Sequence, residues 1–178
     1  MDENLQEKEI FREETTVSGD RKLFAGLALL AIFSLYGLEI KGYMEQGRIG
    51  ILGFGMDTVL LGLWMWRVLW KYELILYPSR LVVISRGLGF TGHYEVDLSR
   101  TESFTDKYVR SFFRKTKIRE YYHRNSSLDP NPQRLLCYTK GKKNKLTGLI
   151  FKASEEFMKH LRKTLPGKFL QLTEGVPK

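Results

Sequence analysis

Two long apolar runs, separated by a short polar connector, constrain this chain more than any other feature. Residues 23–38 carry no charge, and Glu39 arrives only at their far end. Residues 49–66 carry a single charge, Asp57. Each run is roughly 18 residues, about 27 Å of helix, close to the roughly 30 Å of a hydrocarbon core. The connector, 41–48, is short and contains Gly42 and Gly47. The pattern predicts a helical hairpin that crosses a membrane twice, spanning 23–72. The alternative is a hairpin buried inside a soluble protein. A chain of 178 residues has too little remaining protein to cover two helices that are apolar nearly all round.

Asp57 is the one charge inside the second run. An acid within an apolar run marks an ion or proton path in some membrane proteins. A span that starts later, near Thr58, and runs to Tyr72 instead leaves Asp57 at the outer interface. That reading is preferred, because one acid, joined at most by Glu39, makes a poor transporter.

Orientation is set by the basic residues. Arg21 and Lys22 border the first run, and Arg67, Lys71 and Arg80 come after the second, whereas the hairpin tip has only Lys41 and Arg48. Positive flanks put both termini on the inner face, cytoplasm or mitochondrial matrix. Trp64, Trp66, Trp70 and Tyr72 then form an interfacial aromatic belt on that face. Residues 1–22 hold seven acidic and four basic residues. They read as an acidic tail, and fit neither a secretory signal nor an Arg-rich presequence.

Averages conceal this division. The mean hydropathy of −0.28 describes an ordinary soluble protein, and the net charge is +9. Residues 73–178 alone hold 21 basic and 10 acidic residues, a net +11. The single cysteine, Cys137, excludes an intrachain disulfide and reads as a buried thiol within Leu135-Leu136-Cys137-Tyr138. His93, His123 and His160 are scattered, so no metal or cofactor site is read. No nucleophile has a recognisable His–acid setting, and the chain is read as non-enzymatic. Gly87-Leu88-Gly89-Phe90-Thr91-Gly92 matches a dinucleotide-binding spacing. The next element is a strand rather than the helix that such binding requires, so a hairpin turn explains the glycines.

After the second run the pattern changes to strands. Residues 72–77, 80–85 and 93–98 are β-rich, with turns at Pro78-Ser79 and Gly87-Leu88-Gly89, and Ser103-Phe104 opens a fourth strand. Residues 134–139 and 146–152 form a hairpin across Gly141-Lys142-Lys143-Asn144. Ser154 reads as an N-cap, with Glu155 and Glu156 in the first turn. Phe157, Leu161 and Leu165 make one apolar stripe, and Pro166-Gly167 stops the helix. The fold class is α+β: the two-helix hairpin, an antiparallel sheet with one C-terminal helix over 73–165, and a tail over 166–178.

The candidate site is a basic–aromatic segment, 107–124, reading KYVRSFFRKTKIREYYHR. Basic residues interleaved with aromatics bind single-stranded nucleic acid in some proteins. A domain tethered beneath a membrane meets anionic lipid first, where each nearby Lys or Arg adds about 1 kcal/mol, and a protein partner with an acidic face is equally allowed. No nucleic-acid partner is expected. The plainest alternative is that the aromatics pack into the sheet while the charges are solvated. The contact residues expected are Arg110, Arg114, Lys115, Lys117 and Arg119, with Lys142 and Lys143 on the hairpin tip.

Strands followed by one terminal helix resemble the pleckstrin-homology-like (PH-like) fold. A two-span hairpin leading into such a module is similar to bacterial membrane-anchored PH-like proteins. It is also similar to the mitochondrial inner-membrane group of transmembrane proteins 70, 186 and 223. The matching residues are the lead Ile10-Phe11-Arg12 through Arg21-Lys22-Leu23-Phe24, and Gly87-Leu88-Gly89 with His93-Tyr94-Glu95-Val96-Asp97-Leu98. The resemblance implies a scaffold or assembly factor docking membrane-protein partners, respiratory ones in the mitochondrial case. It implies a mitochondrial inner or bacterial cytoplasmic membrane. The second expectation is recognition of anionic lipid. The phosphoinositide pocket of PH domains has no room here, because Pro78-Ser79-Arg80 is too short a connection.

Overall fold

A computed structural model describes residues 7–47, 50–109, 118–141 and 144–171. The apolar runs form α1 (Gly19–Gln46) and α2 (Ile51–Val68), about 42 and 27 Å long at 1.5 Å per residue. α1 stops at Gly47, which takes φ 64° and donates its N–H to the Tyr43 carbonyl, a left-handed cap that glycine accepts without a Cβ clash. Both helices are long and apolar enough to cross a membrane. They touch along a thin seam. Trp64 Nε1 donates to the Ala25 carbonyl at 2.9 Å, and Tyr36 Oη to Thr58 Oγ1 at 3.0 Å. A Cβ on Gly53 would lie 1.8 Å from Glu39 Oε1, so that glycine makes room for the acid. Away from the seam the apolar surface is bare, with Leu23 64% and Leu52 87% exposed.

The expected bounds of the second helix are corrected. α2 begins at Ile51 rather than near Thr58 and ends at Val68, because Lys71 and Tyr72 belong to a strand. Asp57 therefore lies inside the helix and is buried in the seam, as is Ile32 of α1.

The rest is β-rich. β1 (Phe11–Glu14), β2 (Lys71–Leu76), β3 (Arg80–Gly87) and β4 (Phe90–Asp97) form one antiparallel sheet in that order. A 3-10 turn at Leu98–Arg100 leads into the second set: β5 (Thr101–Thr105), β6 (Glu120–Arg124), β7 (Gln133–Lys140), β8 (Lys145–Lys152) and β9 (Phe169–Leu170), with α3 (Glu155–Thr164) between the last two. Their order is β6-β8-β7-β5-β9. The α+β class holds, with one departure from the expected antiparallel sheet. β6 runs parallel to β8, and β9 parallel to β5. Both are reached by long crossovers rather than hairpins, the connection that parallel pairing requires.

Both ends of the chain contribute. The expected acidic tail, 1–22, contains β1, and the expected C-terminal tail, 166–178, contains β9. β1 is held by Arg12, which donates to Glu73 at 2.7 Å, and by Phe11, stacked on His160 of α3 at 4.7 Å. The core joins Leu76, Leu81 and Val83 of the first sheet to Phe104, Leu136 and Phe151 of the second. α3 plugs it with Phe157, Met158 and Leu161, all fully buried. Ser154 caps α3 as its sequence predicts, accepting from the Phe157 N–H at 3.2 Å. Buried Arg134 of β7 ties down the same helix end, donating to the Ala153 and Asp106 carbonyls and to Glu155 Oε1 at 2.5 Å.

This arrangement has a near end and a far end relative to the helices. Thr15 donates its N–H and hydroxyl to the Tyr72 carbonyl, so the start of α1 and the end of α2 leave the sheet side by side. Arg21 of α1 donates to the Ser127 and Asp129 carbonyls, and Lys152 to Asp129 O at 2.6 Å. The Gln133/Lys152 end of β7 and β8 is thus the near end. Their connecting turn lies about 23 Å away along β8, at about 3.3 Å per residue.

Candidate functional site

Of the expected contact residues, Arg119 lies among those described. Arg110, Arg114, Lys115, Lys117, Lys142 and Lys143 lie outside the described residues. Arg119 is exposed, and its N–H donates to the Leu146 carbonyl at 3.0 Å, which places it beside the β7–β8 turn. Lys140 and Lys145 pair across the last rung of that hairpin. The far end therefore gathers Arg119, Lys140 and Lys145 around one tip.

The described aromatics of 107–124 are packing groups. Tyr108, Ile118 and Tyr121 cover a small core of Leu135, Cys137 and Ile150 on the outer face of the second sheet. Tyr122 points to the other face, as strand alternation requires, and meets the main core and Tyr94 at 5.1 Å. For these residues the plain alternative holds, with aromatics in the sheet. Cys137 is buried as expected, and burial pushes its thiol up to about 11.

The sequence did not reveal a tyrosine–cation cluster that closes the gap between β4 and β6. Tyr94 and Tyr138 share a short hydroxyl–hydroxyl hydrogen bond, and burial raises the Tyr138 pKa above its ordinary value. Lys140 Nζ sits 4.3 Å from the Tyr122 ring centroid and donates to Tyr122 Oη at 3.1 Å. That hydrogen bond holds the Lys140 ammonium above its ordinary pKa. Arg124 lies 5.3 Å over the Tyr94 ring. These contacts hold Lys140 at the surface of an aromatic patch, while Arg124 is half-buried against it. The signal that could have found them is the period-two spacing of Tyr122 and Arg124, and of Tyr138 and Lys140.

At the near end a cleft of about 10 Å³ opens between Glu13, Thr15, Tyr72, Arg124, Asp129 and Lys152. That is room for about one water. Burial raises the pKa of Glu13 and of Asp129, and burial followed by the charge of Arg21 lowers that of Lys152. Glu13 accepts from the Ser154 N–H at 2.9 Å, Ser154 Oγ at 2.7 Å and Asn131 Nδ2 at 3.1 Å. The cleft is a polar joint between β1, α3 and the 125–132 loop, too small to receive a ligand.

No protein-family model, characterised protein or solved structure gives a significant match to this chain.

Proposed function

We propose that this chain is a two-pass membrane protein whose β-rich domain docks protein partners as a non-enzymatic scaffold or assembly factor. The observation that carries the membrane reading is the bare apolar surface of α1 and α2, joined directly to a folded basic domain. No soluble fold gains by exposing that much apolar surface. Arg21, Lys22, Arg67 and Lys71 lie at the domain end of the helices, so both termini and the domain belong on the inner face. The order of strands, hairpin and closing helix supports a PH-like module. The membrane is the mitochondrial inner or the bacterial cytoplasmic one.

The position of the basic tip favours a protein partner over lipid. Arg119 and Lys145 stand at the end remote from the helices, about 23 Å along β8 from its near end at about 3.3 Å per strand residue, while Lys140 Nζ turns back over Tyr122 and Tyr94. That exceeds the Debye length of about 8 Å at physiological salt, so the bilayer holding the helices attracts them little. An acidic surface on a neighbouring membrane protein meets them directly. The anionic-lipid reading keeps support only at the near end, from exposed Arg67 and Lys71.

The test is native electrophoresis of the full chain extracted in several mild detergents. The expected result is a complex larger than the chain in its micelle, lost on combining Arg119→Glu, Lys140→Glu and Lys145→Glu while the unfolding midpoint is kept. Migration of the unaltered chain alone in every detergent overturns the docking role.

A further inference from the structure

The β3–β4 hairpin turns at the near end, and its tip is apolar. Gly87 pairs with Phe90, so Leu88-Gly89 is a two-residue turn. Leu88 has φ 51° and Gly89 φ 81°. Positive φ at both central positions is the type I′ geometry, which favours Asn-Gly and disfavours a leucine. Leu88 nevertheless occupies the strained position with 48% of its surface exposed. Phe90 shares a face of β4 with Tyr94 and Val96, but Gly92 lies between and the core has ended, leaving Phe90 71% exposed. A strained leucine and a bare phenylalanine at one tip oppose both turn stability and solubility.

The tip is continuous with the end of α2. The Trp70 indole lies so close to Gly87 that an added Cβ would meet its Cδ2 at 2.8 Å. Trp70 and Trp66 of α2 stand 5.2 Å apart, centroid to centroid, and Trp66 is exposed. Indole rings settle at the headgroup level, which sets the tip at that level too. One rung further from the helices, Lys71 faces Arg86 across β2 and β3. Outward from α2 come the apolar helix, the indoles with exposed Arg67 between them, the apolar tip, then Lys71 and Arg86, which follows the bilayer's order of acyl chain, interface and phosphate.

We infer that Leu88 and Phe90 insert into the headgroup–acyl boundary of the bilayer that holds α1 and α2, pinning the β-domain against the membrane at a third point. The inference rests on the two-span reading. Two helices leaving the sheet side by side act as a hinge, and the tip stops the domain from swinging about it. The far-end cations are thereby held at a fixed height and direction.

The test uses the full chain in phosphatidylcholine vesicles, with an environment-sensitive fluorophore on Phe90→Cys, Leu60→Cys or Lys145→Cys. Cys137 is buried and stays unlabelled. Lipid brominated near the glycerol end of its chains is the quencher. The expected result is about a twofold loss of emission at position 90, as for a side chain at the acyl boundary, with none at position 145. Quenching at 60 by deeply brominated lipid without quenching at 90 overturns the inference and leaves the two-span reading standing. Absence of quenching at 60 with either lipid overturns both.

Discussion

The two hairpin tips of the β-domain are the same device made of opposite materials. The β3–β4 tip, at the near end, places Leu88 in a left-handed conformation beside Trp70. At the β7–β8 tip, at the far end, the left-handed positions among the described residues are Gly141 and Asn144, which tolerate them. It is flanked by Lys140 and Lys145. The far tip thus has the chemistry of an ordinary solvated turn. The near tip departs from it, and a departure that costs stability calls for a compensating environment. The difference separates a surface built for water from one built for a boundary.

Gly87 beside the near turn and Gly141 in the far one separate the two tips most sharply. Gly87 is required for space, since a Cβ would collide with the Trp70 indole at 2.8 Å. Gly87→Val is expected to destabilise the full chain by about 1–3 kcal/mol, as overpacking does. Gly141 has nothing within 4 Å of its Cβ position but takes φ 73°. Gly141→Ala is expected to cost only the left-handed penalty, about 1 kcal/mol. Unfolding midpoints in detergent check both. A larger loss at Gly141 would show that the near tip is not wedged against Trp70.

The next effect is smaller and has the opposite sign. Leu88→Asn places in the type I′ turn the residue that geometry favours, and is expected to stabilise the detergent-solubilised chain by up to about 1 kcal/mol. Asn144→Leu, its mirror at the far tip, is expected to destabilise by a similar amount. The two together separate turn strain from the use made of it. A midpoint that falls on Leu88→Asn would mean that Leu88 packs against something that compensates its φ.

How much of this was legible in the sequence varied with the range of the interactions involved. The apolar helices announced themselves by the absence of charge. The β7–β8 hairpin and the Ser154 cap were legible because their signals lie within a few residues of one another. β1 was hidden: Phe-Arg-Glu-Glu reads as an acidic tail, and it becomes a strand only through Glu73, Leu76 and Ser154, far along the chain. β6 was hidden for a related reason, since its partner β8 is parallel and has no turn to mark it. The candidate site suffered most. Composition identified a basic–aromatic segment, yet only register shows that Tyr121 and Tyr122 face opposite ways and that Arg119 stands at the far tip. The end of α2 was misjudged because tryptophan and tyrosine suit both a membrane interface and a strand. Lys71, inside the sheet, decides between them.

The near end differs from the far end in a further respect, and it supplies the smallest expected effect. Its carboxylates are partly buried, whereas the far-end charges stand at the surface. Burial raises the folded pKa of Glu13 above its ordinary 4.5, opposed by hydrogen bonds from Ser154 and by Arg134, and reinforced by Asp129, itself raised by burial. A raised folded value means that the folded chain holds the proton more tightly than the unfolded chain. Its contribution to stability is full below the unfolded pKa and is lost as pH rises through the folded one. Glu13→Gln keeps a carbonyl acceptor for the Ser154 N–H and cannot ionise. Between about pH 4.5 and 7 its unfolding midpoint is therefore expected to fall less with rising pH than that of the unaltered chain. Lys145→Gln at the far tip, where the Glu120 partner is 4.0 Å away and both groups are about half exposed, is expected to leave the same slope unchanged. Parallel slopes for Glu13→Gln and the unaltered chain would place the near-end titration on another group, with Asp129, raised by the same cause, next to be replaced.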